Sequence, residues 1–163
     1  MEAFGTDAEI CRIVEQYSPM LLRLACTRLQ SPADAEDAVQ EVFLKLLTAR
    51  PAFRDREHEK AWLIRATVHR SADLRRTAER RNVPLEAAAQ AAAEPAETES
   101  ALLSAVRALP EKYSTVIHLY YYEGYSLREI AGILRLPVPT VGTRLARGRE
   151  HLRTMLKEEA YEA

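Results

Sequence analysis

Apolar side chains recur at steps of three and four residues along most of this 163-residue chain, which is the spacing of an amphipathic α-helix. In the first half the pattern predicts three helices, separated near Ser31 and at Pro51. The first covers residues 10–29 and is either continuous or broken at Pro19, and the third follows a charged connection and runs from about Glu59 to Arg81. Three such helices can cover one another's apolar stripes in a small bundle.

In the second half the pattern predicts shorter helices, and the last two form a helix-turn-helix. Ser100 is expected to cap a helix over residues 101–108, and Pro110 begins the next one. Ser126 opens a capping box before a helix of about eight residues, and after a tight turn a basic helix covers residues 139–157. In such modules the second helix enters the DNA major groove with its first turns. The side chains expected to reach bases and phosphates there are Thr140, Thr143, Arg144 and Arg147.

The composition predicts an all-α protein of two small domains. Hydrophobic residues make up 47% of the chain, aromatic residues only 7%, and there are five glycines. Residues 82–100 contain two prolines, an alanine run and no consistent apolar face. We therefore expect helical domains at 1–81 and 101–163, joined by a flexible linker over 82–100.

The net charge of −1 conceals four segments of alternating sign. Residues 1–50 carry five basic and eight acidic side chains, and residues 51–81 carry nine basic and five acidic. Residues 82–100 carry four glutamates and no Lys or Arg, and residues 101–163 carry nine basic and seven acidic side chains. This alternation indicates a DNA-facing surface and a separate protein-facing one.

The chain shows no pattern typical of an enzyme. Its four histidines and two cysteines lack metal-ligand spacing, and its five glycines form no phosphate-binding loop. We expect no catalytic residue, no metal and no cofactor. Cys11 and Cys26 could in principle form a disulfide, but we expect two small buried thiols. No signal peptide or membrane span is evident, which predicts a cytoplasmic protein without membrane insertion.

Motifs in both halves resemble those of the sigma-70 family of RNA polymerase sigma factors. The segments similar to region 4 are Leu109–Tyr113, Leu119–Ser126, Glu129–Ala131, Leu134–Pro137, Thr140–Val141 and Arg144–Arg149. The segments similar to region 2 are Asp34–Phe43 and Ala61–Arg65, followed by Asp73 and Arg75–Arg76. Their order, with no region 3 between them, is that of the extracytoplasmic-function (ECF) subgroup. The resemblance implies a factor that binds core polymerase and starts transcription at promoters with minus-10 and minus-35 elements.

The resemblance also implies which residues act. Core polymerase is expected to bind an acidic face of the second helix through a coiled coil of its β′ subunit, and to contact the chain through its β flap as well. The residues of that acidic face are Asp34, Asp37, Gln40 and Glu41. The third helix is expected to bind the minus-10 element, where a base is flipped out of the opening duplex. Its expected DNA contacts are Arg65, His69, Asp73 and Arg76. An anti-sigma factor is the expected regulatory partner.

Three positions depart from the family pattern. His69 stands where the family usually has Asn, which predicts an unusual minus-10 preference. Pro139 and Gly142 stand where Gly and Lys commonly flank the Thr-Val pair. Gly142 costs about 1 kcal/mol of helix stability relative to Ala and removes an expected phosphate contact, so we predict that binding of the minus-35 element is weaker or differently placed.

Two other functions are compatible with parts of the sequence. A free-standing helix-turn-helix regulator would explain the second half but leaves the acidic face of the second helix and the basic third helix without a role. A sigma-like protein that has lost promoter opening is compatible with the substitutions at His69, Pro139 and Gly142.

Overall fold

In the computed structural model of the chain, residues 7–80 and 99–162 are described, so most of the expected linker lies outside the described residues. The described residues contain α-helices, one π-helical turn and no strand, which confirms the all-α prediction. The helices are α1 (Asp7–Arg28), α2 (Pro32–Ala49), α3 (Arg56–Arg80), α4 (Glu99–Ala108), α5 (Glu111–Ile117), α6 (Leu127–Leu134) and α7 (Val138–Glu162), with the π turn at His118–Tyr122.

Helices α1, α2 and α3 pack pairwise as a three-helix bundle. Each contributes fully buried aliphatic side chains, among them Leu21, Leu46 and Leu63. Helix α1 runs without a break through Pro19, so the continuous alternative is the one observed. Ser31 caps α2 as predicted, because its side chain accepts a hydrogen bond from the Asp34 amide.

Two predicted helix starts were wrong. Helix α3 begins three residues before Glu59 because Asp55 Oδ1 accepts the His58 N–H at 2.8 Å and caps the first turn. Glu59 is itself buried at 3% exposure and accepts hydrogen bonds from Arg12 and from the hydroxyl of Tyr17. Helix α4 begins at Glu99, which places Ser100 inside the helix rather than at its cap.

The second bundle is organised around α7, which contacts α4, α5 and α6. Val141 and Leu145 are buried on its inner face, as the pattern predicted. The helix continues to Glu162, beyond the predicted end near Lys157, and Leu156 on it is 37% exposed rather than inward.

The two bundles pack against each other within the chain, and their buried side chains form one continuous apolar cluster. At one edge, the Arg23 guanidinium donates two hydrogen bonds to the Glu123 carboxylate, at 2.9 and 3.1 Å. At another edge, Arg107 Nε donates to the carbonyl oxygen of Cys26 at 2.6 Å. Both cysteines are free thiols, but Cys11 is exposed, which contradicts the prediction that both are buried. Among the described helices, none combines the length and apolar character needed to cross a bilayer.

Candidate nucleic-acid and protein interfaces

Helices α6 and α7 form the predicted helix-turn-helix. Ser126 and Glu129 make the reciprocal capping box at the start of α6, with both hydrogen bonds at 3.1 Å. Helix α6 ends at Leu134, and the C-cap residue Arg135 has a left-handed φ of 57° that turns the chain toward α7. Buried Ile130 and Ile133 anchor α6 in the core. The capping and the apolar contacts together fix the geometry with which α7 leaves the turn.

The four side chains predicted to read the major groove share one face of the first turns of α7. Thr143 and Arg147 are exposed, and Thr140 and Arg144 are half-buried. They line a shallow groove of about 290 Å³ together with Lys112 of α5. Because the N-terminus of a helix favours anions, this cationic face suits a phosphate backbone.

Two glycines on α7 have different roles. A Cβ at Gly142 would meet no atom within 4 Å, so this position has room for a side chain. A Cβ at Gly148 would lie 3.0 Å from Ile117 Cγ1, so Gly148 permits the close packing of α7 on α5. Sequence reasoning missed Gly148, because a glycine in a helix gives no signal of what approaches it.

The predicted minus-10 side chains lie along one face of α3. Arg65 is half-buried and its Nη1 donates to the carbonyl oxygen of Ile133 at 2.9 Å. Burial lowers the pKa of the Arg65 guanidinium, and the nearby charge of Arg135 lowers it further. His69 is exposed. Through its hydrogen bond to Ile133, Arg65 of the first bundle contacts the second bundle.

One cleft brings the two predicted DNA-binding sets together. It measures about 650 Å³ and lies between α3 and the second bundle. Arg65, His69 and Arg76 line it from α3, and Arg144 lines it from α7. Asp73 also lines the cleft and pairs with Arg76 at 2.5 Å. Thr140, Thr143 and Arg147 face the neighbouring shallow groove instead.

The predicted acidic face lies on the outside of α2. Asp34, Asp37, Gln40 and Glu41 are all exposed, as expected. Glu41 forms an ion pair with Arg70 of α3. One helical turn further along, Leu44 is 60% exposed and adds an apolar element to this face. Sequence reasoning passed over Leu44, although its spacing from Gln40 and Glu41 indicates a shared face.

An apolar groove of about 530 Å³ crosses the second bundle between α4, the π turn and α7. Leu102, Tyr121 and Tyr122 line it and are about half exposed, at 43%, 54% and 55%. Arg149 forms part of its rim and lies 5.4 Å from the Tyr121 ring centroid. Such an exposed apolar surface is typical of an interaction site. The sequence had not indicated it.

The described residues contain no group of three or more His, Cys, Asp or Glu side chains arranged to hold a metal ion.

Comparison with family models matched both halves of the chain. Residues 13–81 match the model of sigma-70 region 2, and residues 99–152 match the model of sigma-70 region 4.

Individual relatives cover nearly the whole chain. The ECF RNA polymerase sigma factor SigW of Bacillus subtilis is 32% identical over 94% of this chain and 92% of its own length. The ECF RNA polymerase sigma factor SigL of Mycobacterium tuberculosis is 31% identical over 96% of this chain and 94% of its own. Among solved structures, the sigma factor RpoE in complex with the anti-sigma factor NepR from Bartonella quintana matches with a TM-score of 0.69. That match covers 91% of this chain and 97% of the other at 21% identity, so it bears on the fold alone.

Proposed function

The chain belongs to the sigma-70 family and is an RNA polymerase sigma factor of the ECF group, and on this premise we propose which of its surfaces bind polymerase and which bind the promoter. The observation that carries the proposal is the separation of charge on the folded chain. An acidic face lies outward on α2, whereas basic faces lie on α3 and at the start of α7. Region 2 is proposed to span residues 1–81 and region 4 residues 101–163, with 82–100 as the linker.

The exposed face of α2 is proposed to bind the β′ coiled coil of core polymerase. Asp34 and Asp37 offer negative charge, whereas Glu41 already pairs with Arg70 in the closed chain. Leu44 adds an apolar contact that a purely electrostatic interface would lack. Replacing Asp37 by Lys should weaken co-purification with core polymerase. Glu15→Lys is the matched control, because Glu15 is an exposed acid on α1 away from this face. Equal losses in the two variants would show that overall charge, rather than this face, governs binding.

The first turns of α7 are proposed to bind the minus-35 duplex. Thr143 and Arg147 are exposed there and Arg144 is half-buried beside them. Arg147→Ala should weaken binding of a minus-35 duplex. It should also reduce the slope of the logarithm of the binding constant against the logarithm of the salt concentration by about one. Arg153→Ala serves as the control, because Arg153 is exposed on the same helix but lines the apolar groove.

The basic face of α3 is proposed to bind the minus-10 element, which requires the two bundles to separate. The minus-10 and minus-35 elements are named for their positions, which are about 25 base pairs apart. At 3.4 Å per base pair this separation is about 85 Å. Arg65, Arg76 and Arg144 line one cleft of about 650 Å³, so they cannot serve both elements at once. We infer that binding to polymerase or DNA opens the chain and releases Arg65 from Ile133.

Further partners are proposed from the family and from the apolar groove. The groove beside Tyr121 and Tyr122 is a candidate for the β flap, because its apolar floor and basic rim fit an amphipathic helix. An anti-sigma factor is proposed as the regulator, in line with the solved complex of the structural neighbour. The protein is proposed to act in the cytoplasm, where polymerase and promoters are, and to have no catalytic activity of its own.

Run-off transcription is the experiment that tests the proposed function. Core polymerase with this protein should start RNA synthesis at specific sites on genomic fragments, and core polymerase alone should not. The alternative of a free-standing regulator predicts binding to duplex DNA without polymerase and no co-purification with core. A protein that binds core but never starts transcription would support the alternative in which promoter opening has been lost.

A further inference from the structure

Among the residues that the structure describes, the cleft between the two bundles carries more positive charge than its carboxylates balance. Six cationic side chains line it: Arg28, Lys45, Arg65, Arg76, Lys112 and Arg144. The only carboxylates among the described lining residues are Asp73, which pairs with Arg76, and Glu111, which pairs with Arg28. Within the described part of the chain, the other four cations form no ion pair. The cleft is therefore a concentrated positive site.

The most buried of these cations lies at the floor of the cleft. Arg28 has a side chain that is 1% exposed, and its one carboxylate partner within residues 7–80 and 99–162 is Glu111, at 3.1 Å. Its Nη1 donates to the Thr115 hydroxyl, but its buried Nε reaches no acceptor among the described residues. Burial lowers the pKa of the Arg28 guanidinium, the Glu111 carboxylate offsets part of that shift, and the charge of Arg75 adds to it. This guanidinium would gain from a second anion nearby.

The positive charges come from both bundles. Lys45 and Arg76 belong to the first bundle, whereas Lys112 and Arg144 belong to the second. Like charges that face each other repel, and a multivalent anion in contact with both sides removes that repulsion. The volume of about 650 Å³ lies in the range of small-molecule sites, and apolar side chains such as Val68 and Leu136 complete the lining.

We propose that this interbundle cleft is a binding site for a small polyphosphate anion, of the class of a nucleoside triphosphate or inorganic tripolyphosphate. The phosphates contact Arg76 on one side and Arg144 on the other, and an attached base contacts the apolar lining. Because the cleft exists only while the bundles are packed together, the ligand stabilises the closed chain. Its competition with promoter DNA is a further consequence that rests on the proposed function.

Isothermal titration of the full chain tests the site directly. The probes are ATP, inorganic tripolyphosphate and adenosine, at fixed ionic strength and without divalent cations. ATP and tripolyphosphate should bind with Kd below about 1 mM, and adenosine should not. Tighter binding of ATP than of tripolyphosphate would identify a nucleotide site, and equal binding would identify an inorganic polyphosphate site. Failure of both to bind would overturn the proposal.

Matched variants separate a built site from general surface charge. Arg76→Gln and Arg144→Gln should each weaken ATP binding about tenfold, the loss of one charge-assisted contact. Arg147→Gln removes the same charge one helical turn away, outside the cleft, and should weaken binding less than about twofold. Equal losses in all three variants would overturn the proposal.

Two further results keep the site distinct from the proposed function. A trinucleotide that bound as tightly as ATP and depended on the same two arginines would overturn the assignment in favour of single-stranded nucleic acid. ATP binding that follows the predicted variant pattern, in a chain that never supports run-off transcription, would uphold the site and refute the proposed function.

Discussion

The ion pair between Arg28 and Glu111 joins the two bundles, and only its Arg28 side chain is fully buried. The Arg28 side chain is 1% exposed and the Glu111 side chain is 34% exposed. We predict that Glu111→Gln, which removes the negative charge and keeps the shape, lowers the free energy of unfolding by about 1–3 kcal/mol. The loss arises because a buried positive charge is left without its counter-charge.

The size of this effect follows from the surroundings of the pair. Removing one partner of a fully buried pair costs about 3–5 kcal/mol, and an exposed pair contributes about 0–1 kcal/mol. Solvent screens the Glu111 carboxylate in part. Arg28 also keeps its hydrogen bonds to the Thr115 hydroxyl and to the Glu111 carbonyl oxygen, the latter at 3.4 Å. An intermediate value is therefore expected.

Urea unfolding of a double-mutant cycle measures the effect. Arg28→Met removes the buried charge and keeps much of the aliphatic volume, so it should restore at least half of the stability lost in Glu111→Gln. The pair of Asp73 and Arg76 is the control, at 2.5 Å but with side chains 55% and 62% exposed. Its coupling should be below about 0.5 kcal/mol and should fade in 1 M salt.

Two results would refute this reasoning. One is a Glu111→Gln variant whose free energy of unfolding lies within about 0.3 kcal/mol of that of the unmodified protein. A buried charge without a counter-charge should destabilise the fold by more than this. The other is a coupling between Arg28 and Glu111 that 1 M salt removes as completely as it removes the exposed control, because salt screens buried pairs weakly.

Three further predictions concern single sites. Ser126→Ala should lower the free energy of unfolding by about 1 kcal/mol, measured by urea denaturation, because α6 loses its N-cap, whereas an unchanged value would contradict the capping role. Gly142→Lys should tighten binding of a minus-35 duplex and steepen its salt dependence, because the position has room and lies on the DNA-binding helix; no tightening would contradict this account. Burial and the charge of Arg23 lower the pKa of His118 to about 4, so this histidine is neutral in the folded chain while the unfolded chain takes up a proton near pH 6.5. The His118 contribution to the free energy of unfolding should therefore fall by about 2–3 kcal/mol between pH 6.5 and 4. His118→Phe should make the free energy of unfolding depend less steeply on pH in this range, and an unchanged dependence would contradict the assignment.

The helical periodicity and the local capping signals were readable from the sequence. Ser31 and Ser126 begin helices where predicted, because an N-cap depends on a hydroxyl and an amide only three residues apart. Ser100 failed as a cap, since α4 begins at Glu99. The exposed acidic residues on α2 and the position of the helix-turn-helix were also predictable from spacing alone.

Contacts between distant segments were not readable. The sequence placed Glu59 near a charged connection, yet it is buried because Arg12 and Tyr17, more than 40 residues away, donate hydrogen bonds to it. Gly148 gave no sign that Ile117 would lie against it. Periodicity describes one helix at a time, and these features depend on which helix packs next to it.

By itself the sequence determined the all-α class, the two helical halves, the family and the residue types on each face. Only the tertiary structure decided that the halves pack together, that Arg65 donates to Ile133, and that arginines of both predicted DNA-binding sets line one cleft. The physical reason is one of range. Helix periodicity and capping follow from residues within a turn of each other, whereas the packing of two bundles depends on surface shape and charge across the whole chain.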